Sequence, residues 1–279
     1  MTPPSLSEMI GRIHGLPVMP AVALEVLDSM AGADTDIKDL ARRITQDQAI
    51  AARVLRVANS PLYGLQMRVA SIHDAIVVLG FSAVRSLVLA AAIVTSLPAG
   101  RCPGFNQERF WRHVLGTAVA AQALAKPLKR SPEPLFIAGL LHDIGRLVMV
   151  ALYPEHYTRV LDQVGEQDCC LRDAEQTVFG FDHAAVGAAL AGRWNFPADI
   201  VDALAWHHEP ERGTPDGMAA VIHYADAISQ ALDLDGAENG QMPRLHQKTI
   251  DGLGLDWQKL TEVLADTEAR FNSYQLMLG

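Results

Sequence analysis

The chain has 279 residues, 49% hydrophobic and 20% charged, enough for one large domain or two modest ones. A formal net charge of −9 argues against a broad nucleic-acid-binding surface, which needs a basic face, but leaves room for a small anionic ligand at one site. Ala and Leu dominate, aromatics make up 6%, and β-branched runs are short, so the expected class is all-α.

In chain order, Pro17 and Pro20 bracket a loop, LPVMP, and Pro20 opens a helix to about Met30. Asp34-Thr35-Asp36 supplies cap residues for the next helix, which carries Ile37, Leu40, Ala41 and Ile44 on one stripe. Asp47 caps a third helix, stopped by Asn59-Ser60-Pro61, and Ser71 caps a fourth, broken by Gly80. Ser82 starts a long apolar helix that ends near Leu97. The Pro- and Gly-rich stretch at 98–104 is the clearest break in the chain, which divides it into helical subdomains of residues 1–105 and 106–279. Helices are then expected over 107–129, 132–152, 154–167, 171–179, 182–194 and 197–208, from Pro215 to about Leu232, and from Asp256 to about Phe271, with a loop over 233–245. The core of the second subdomain should include Phe136, Leu140, Leu141, Leu147, Val186 and Leu190.

Cys102, Cys169 and Cys170 form neither a disulfide framework nor a paired CxxC metal knot. The opening MTPPSLSEMI lacks the basic and apolar regions of a signal peptide, and the apolar run Leu87–Val94 is far short of a membrane span. The expected setting is the cytoplasm, without membrane contact.

The segment GLLHDIGRLVM at 139–149 places His142 and Asp143 inside an apolar run. A buried imidazole and carboxylate cost several kcal/mol, on the order of known buried-polar penalties, unless something satisfies them. Either they bond to each other or to a loop, or they hold a divalent transition metal. Other polar residues sit on apolar helices as well: His113, His183, the His207-His208 pair and Asp226. Each has an ordinary reading by itself. His113 fits a satisfied core histidine, His207 and His208 fit a solvated helix end, and Asp226 fits a partner for His223.

Taken together, His113, His142-Asp143, His183, His207-His208 and Asp226 resemble the HD superfamily of metal-dependent phosphohydrolases. The resemblance implies that His113, His142, Asp143 and Asp226 hold one metal. His183, His207 and His208 would hold a second, with Asp143 bridging. One or two first-row divalent ions are expected, Fe, Mn, Ni or Zn, a choice that sequence does not make.

A narrower resemblance covers roughly residues 10–232. LPVMP, ITQDQAIAARVLRVANSPLYG, SIHDAIVVLGFSAVRSLVL, GLLHDIGRLVM and FGFDHAAVGAALAGRWNFP are similar to the HDOD family, the HD-related output domains of bacterial signalling. Asp47-Gln48 departs from that family's usual Asp-Pro. The implied function is a regulatory module acting on signalling proteins by protein–protein contact, with a nucleotide or other phosphate as a candidate ligand. The alternative is a phosphohydrolase acting on a nucleotide or cyclic dinucleotide. Three departures from the HD-GYP phosphodiesterases favour the module: Arg146 stands where those enzymes carry lysine, Arg109 stands where they carry a glutamate ligand, and no Gly-Tyr-Pro follows His207-His208. Arg146 is the candidate phosphate contact, though a planar fork seats a phosphate differently from an ammonium.

Overall fold

The computed structural model describes residues 3–13, 20–30, 37–65, 67–96, 102–167, 169–236, 245 and 247–278. Its regular structure is helical, with no strand among the described residues, as the composition predicts. In chain order the helices are α1 (Leu6–Arg12), α2 (Ala21–Met30), α3 (Ile37–Gln46), α4 (Gln48–Ala58), α5 (Ile72–Leu79) and α6 (Phe81–Ser96). Then come α7 (Gln107–Leu124), α8 (Pro132–Leu141), α9 (Ile144–Leu152), α10 (Pro154–Gln167) and α11 (Leu171–Phe179). The last are α12 (His183–Arg193), α13 (Ala198–Trp206), α14 (Met218–Ala231), α15 (Gln247–Leu253) and α16 (Trp257–Tyr274).

Local capping explains most of these boundaries. Asp47, Ser71 and Asp256 each accept a backbone N–H three residues on, as their sequence positions predict. The cap predicted at 34–36, the LPVMP loop as far as residue 19 and the 98–100 break lie outside the described residues. Two helices escape the periodicity reading, α1 and α15. The first carries a complete capping box, Ser5 with Glu8, which marks its start. Helix α14 begins at Met218 rather than Pro215, because Thr214 to Gly217 closes a turn through the Gly217 N–H to Thr214 O bond of 2.8 Å.

The expected 132–152 helix is broken. His142 ends α8, Asp143 opens α9 with φ −100° and ψ 8°, and the helical ladder is interrupted between them. In an unbroken helix consecutive side chains diverge by about 100°. The break lets the two neighbours face the same point. By composition and length this stretch is apolar enough to cross a membrane, unlike the shorter run at 87–94, but most of it is buried inside the protein.

Helix α7 is the axis of the helices that follow residue 105, packed by α8, α14 and α16, while α9 and α13 both pack on α12. The six predicted core residues are all buried, Leu140 at 1% exposure. Buried apolar side chains run without interruption from Met9 to Met277 through both halves. Helix α6 meets α8 across a two-pronged pair, with Arg85 Nη2 2.7 Å and Nε 3.2 Å from the Glu133 carboxylate. Helix α1 packs on α9 and α12, and the turn after α16 packs on α4.

Candidate metal centre

Five segments deliver the candidate ligands: His113 from the second turn of α7, His142 and Asp143 from the α8–α9 break, His183 at the first residue of α12, His207 and His208 just past α13, and Asp226 from α14. All are buried except His208, which is half-buried. Close packing brings the segments together. A Cβ on Gly145 would run into the His183 carbonyl and come within 2.7 Å of the Gly187 N–H, so α9 and α12 meet backbone to backbone. A Cβ on Gly139 would lie 2.7 Å from Ala118 Cα, which sets the approach of α8 to α7.

Asp143 is the hub. Its Oδ1 lies 3.0 Å from His183 Nε2, 3.6 Å from His142 Nε2 and 3.7 Å from His207 Nε2. Its Oδ2 lies 3.5 Å from His113 Nε2 and 2.8 Å from Arg146 Nη1. Asp226 Oδ1 lies 3.4 Å from His113 Nε2 and accepts from Gln230 Nε2 at 3.0 Å. The donor atoms fall into two converging groups, His113–His142–Asp226 and Asp143–His183–His207–His208. His223 Nδ1 donates to the His207 carbonyl at 2.7 Å.

Hydrogen bonding decides which ring nitrogens carry protons. His142 Nδ1 meets Gly139 O at 2.7 Å and His207 Nδ1 meets Leu204 O at 2.8 Å. A carbonyl only accepts, so both Nδ1 atoms carry the hydrogen and both Nε2 atoms present lone pairs. His183 Nδ1 lies 2.6 Å from Glu175 Oε2, which fixes the same orientation. The Nε2 atoms then crowd one another: His142 to His113 at 3.3 Å, His183 to His207 at 3.4 Å and His208 to His183 at 2.8 Å. Lone pairs and carboxylate oxygens at such separations need a cation among them. Anchored Nδ1 atoms behind converging Nε2 atoms are the arrangement that orients histidines as metal ligands.

Charge balance agrees. Asp143, Glu175 and Asp226 are buried around the cluster, and the Arg146 guanidinium reaches Asp143. Without metal, a proton takes the cation's place. Burial works against charging His183, but Glu175 and Asp143 overcome it and hold the imidazole up to about 10. Burial pushes His142 down to about 4. Burial, helped by His207 and His183, pushes His208 well below the usual histidine range. Burial works to raise Asp143, yet His142, His183 and Arg146 hold it well below the carboxylate range. The donor set therefore fits a divalent cation.

The two arginines read as functional departures behave differently from one another. Arg109 does not put its charge among the ligands; it turns outward, 48% exposed, and its Nε pairs with Asp235 at 3.0 Å. Arg146 stays at the cluster, with Nη1 on Asp143, Nε 3.3 Å from the Tyr157 hydroxyl and its guanidinium 5.5 Å from the Phe110 ring centre. Sequence reading missed Glu175 and Tyr157. Glu175 shares the buried side of α11 with Ala174, Val178 and Phe179, and a carboxylate on an apolar stripe was the available signal.

Residues 16–210 match the HDOD domain family. The chain is similar to an uncharacterized protein of Treponema pallidum (strain Nichols), 26% identical over 231 residues, which cover 80% of this chain and 44% of that protein. The chain thus spans less than half the length of that relative. Ribonuclease Y of Deinococcus radiodurans is 32% identical over 94 residues, 34% of this chain and 12% of that enzyme. Among solved structures, a protein of Shewanella amazonensis SB2B provisionally named a phosphohydrolase superposes with TM-score 0.78 at 29% identity, covering 97% of this chain and 98% of that one. With that match over most of its length, this chain belongs to the HDOD domain family.

Proposed function

We propose that the protein is a cytoplasmic signalling module that works through protein–protein contact. Its seven-residue cluster would hold one or two divalent first-row ions, His113, His142 and Asp226 on one side and His183, His207 and His208 on the other, with Asp143 between. The ions would stabilise the second subdomain and give it a place to sense a phosphate-bearing ligand. The observation that carries this reading is that the arginines around the cluster are already engaged by the protein's own carboxylates. Arg146 is held by Asp143, Arg109 by Asp235, and Arg172 by Asp182 and Glu209. A hydrolase that acts on phosphodiesters needs positive groups aimed at the charge that develops in the transition state.

A specific observation favours the second reading, a metal-dependent phosphohydrolase: all seven candidate ligands converge in two groups. A bound pair of divalent ions would supply water activation and neutralise a phosphate. The protein's own part would be to aim the Nε2 atoms of His142, His183 and His207 inward by anchoring their Nδ1 atoms, and to seat Asp143 between the two groups. The likeness to ribonuclease Y brings RNA among candidate substrates, but the net charge of −9 weighs against an RNA-binding face.

The test is incubation of Mn- and Fe-loaded protein with cyclic di-GMP and with short RNA, with products separated by chromatography. The expected result is no metal-dependent product, together with partner capture from a bacterial extract that falls when metal is removed. Metal-dependent linear dinucleotide or GMP, abolished by Asp143→Ala, would replace the first reading with the second.

A further inference from the structure

Five side chains, four buried and Arg146 half-buried, form a closed ring of polar contacts behind the metal centre. Asp143 Oδ1 lies 3.0 Å from His183 Nε2, and His183 Nδ1 donates to Glu175 Oε2 at 2.6 Å. Glu175 Oε1 accepts from the Tyr157 hydroxyl at 3.0 Å, Tyr157 accepts from Arg146 Nε at 3.3 Å, and Arg146 Nη1 returns to Asp143 Oδ2 at 2.8 Å. Glu175 Oε2 also takes the backbone N–H of His183 at 2.9 Å. Glu175 and Tyr157 are both 0% exposed. The donors run in one direction, from Arg146 to Tyr157 to Glu175. Glu175 therefore has no proton to give and can only accept from His183.

The ring treats the two groups of ligands unequally. His183 backs onto a fully buried carboxylate, while His142 and His207 lean on backbone carbonyls. A carboxylate behind an imidazole makes it a more basic ligand and fixes its orientation, and loss of such a partner typically weakens metal binding about 10–100-fold. Resting on the metal reading above, we propose that Glu175 and Tyr157 are positioning residues. Glu175 sets His183 for its ion, and Tyr157 locks Glu175 to the Arg146–Asp143 pair. The ion held by Asp143, His183, His207 and His208 then binds more tightly than the ion held by His113, His142 and Asp226, and fills first.

The test is titration of metal-free full-length protein with Co(II), followed by visible absorption and by metal content after gel filtration. Wild type should fill in two steps of unequal affinity. Glu175→Gln keeps the shape but puts an amide N–H₂ against either His183 or Tyr157, and should weaken the tighter step about 10–100-fold while leaving the weaker one within about threefold. Tyr157→Phe should shift the same step in the same direction by a smaller factor, and it remains informative if Glu175→Gln fails to fold. Ile50→Ala, in the buried face of α4 and away from the ring, lowers stability and should leave both steps unchanged, which separates positioning from general destabilisation. Wild type binding no Co(II) would remove the metal reading and this proposal with it. Two-step binding in wild type that Glu175→Gln and Tyr157→Phe leave unchanged would overturn the positioning role alone.

Discussion

Asp143 is the residue on which most of the centre turns, because both of its oxygens are used and Arg146 depends on it. Replacing it with alanine leaves the largely enclosed Arg146 guanidinium, among the described residues, with the Tyr157 hydroxyl and the face of Phe110. Breaking one side of a buried pair costs about 3–5 kcal/mol. Asp143→Ala should therefore lose about that much stability even in metal-free protein, read as a shift in the urea midpoint; a loss below about 1 kcal/mol would contradict the buried pairing. At Gly145 the argument is steric. A methyl there meets the backbone of His183 and Gly187, which a side-chain rotation cannot relieve. Gly145→Ala should separate α9 from α12 and cost about 1–3 kcal/mol, typical of overpacking. Because His183 is pushed by the same methyl, metal uptake should fall with it, measured by metal content at a temperature where the variant is still folded.

Among the elements, the contact between α6 and α8 joins the halves of the chain. Arg85 and Glu133 face each other with both prongs, side chains 15% and 11% exposed, while Arg85 also lies over the Phe81 ring. Glu133→Ala should cost about 2–4 kcal/mol, toward the lower end of buried-pair losses because neither partner is fully dry. Glu133→Gln should recover part of that through one hydrogen bond. Equal melting temperatures for all three proteins would show that the pair adds nothing. Helix α8 ends at His142, so strain at this contact lies one helix length from the ligands.

Across the whole molecule, α16 closes the structure over both halves. Tyr274 is buried with its ring 5.4 Å from that of Phe136, and its hydroxyl lies 3.3 Å from that of Tyr63 and 3.4 Å from Gln122 Oε1. One continuous core and this shared strap predict a single cooperative unfolding transition, with calorimetric and van't Hoff enthalpies in agreement. Tyr274→Ala should lower that transition by about 3–5 kcal/mol, as large aromatic truncations do, without splitting it. Metal acts at the same scale by mass action. At about 100 times its Kd a bound ion adds about 2.7 kcal/mol to the folded state. For a chain of this size that is roughly 5–10 °C in Tm, since each kcal/mol shifts it by about 2–4 °C. Chelation should reverse the gain, and Asp143→Ala, which removes the residue seated between both groups, should abolish its response to metal. A Tm indifferent to metal in wild type would count against the centre.

Most of the helices, and their caps at Asp47, Ser71 and Asp256, were readable in the chain, because apolar period and capping act over three or four neighbours. So was the burial of His142 and Asp143, since a run apolar on every side has nowhere else to go. The break between those two residues was not readable: the apolar run is continuous in composition, and packing of α8 on α7 and α9 on α12 interrupts it. Nor were the directions of the long side chains. Arg109 turns to Asp235, 126 residues away, and Glu175 reaches His183 across the start of another helix. A long side chain goes where a partner of opposite charge or a proton donor waits, and only the folded chain brings such partners within reach.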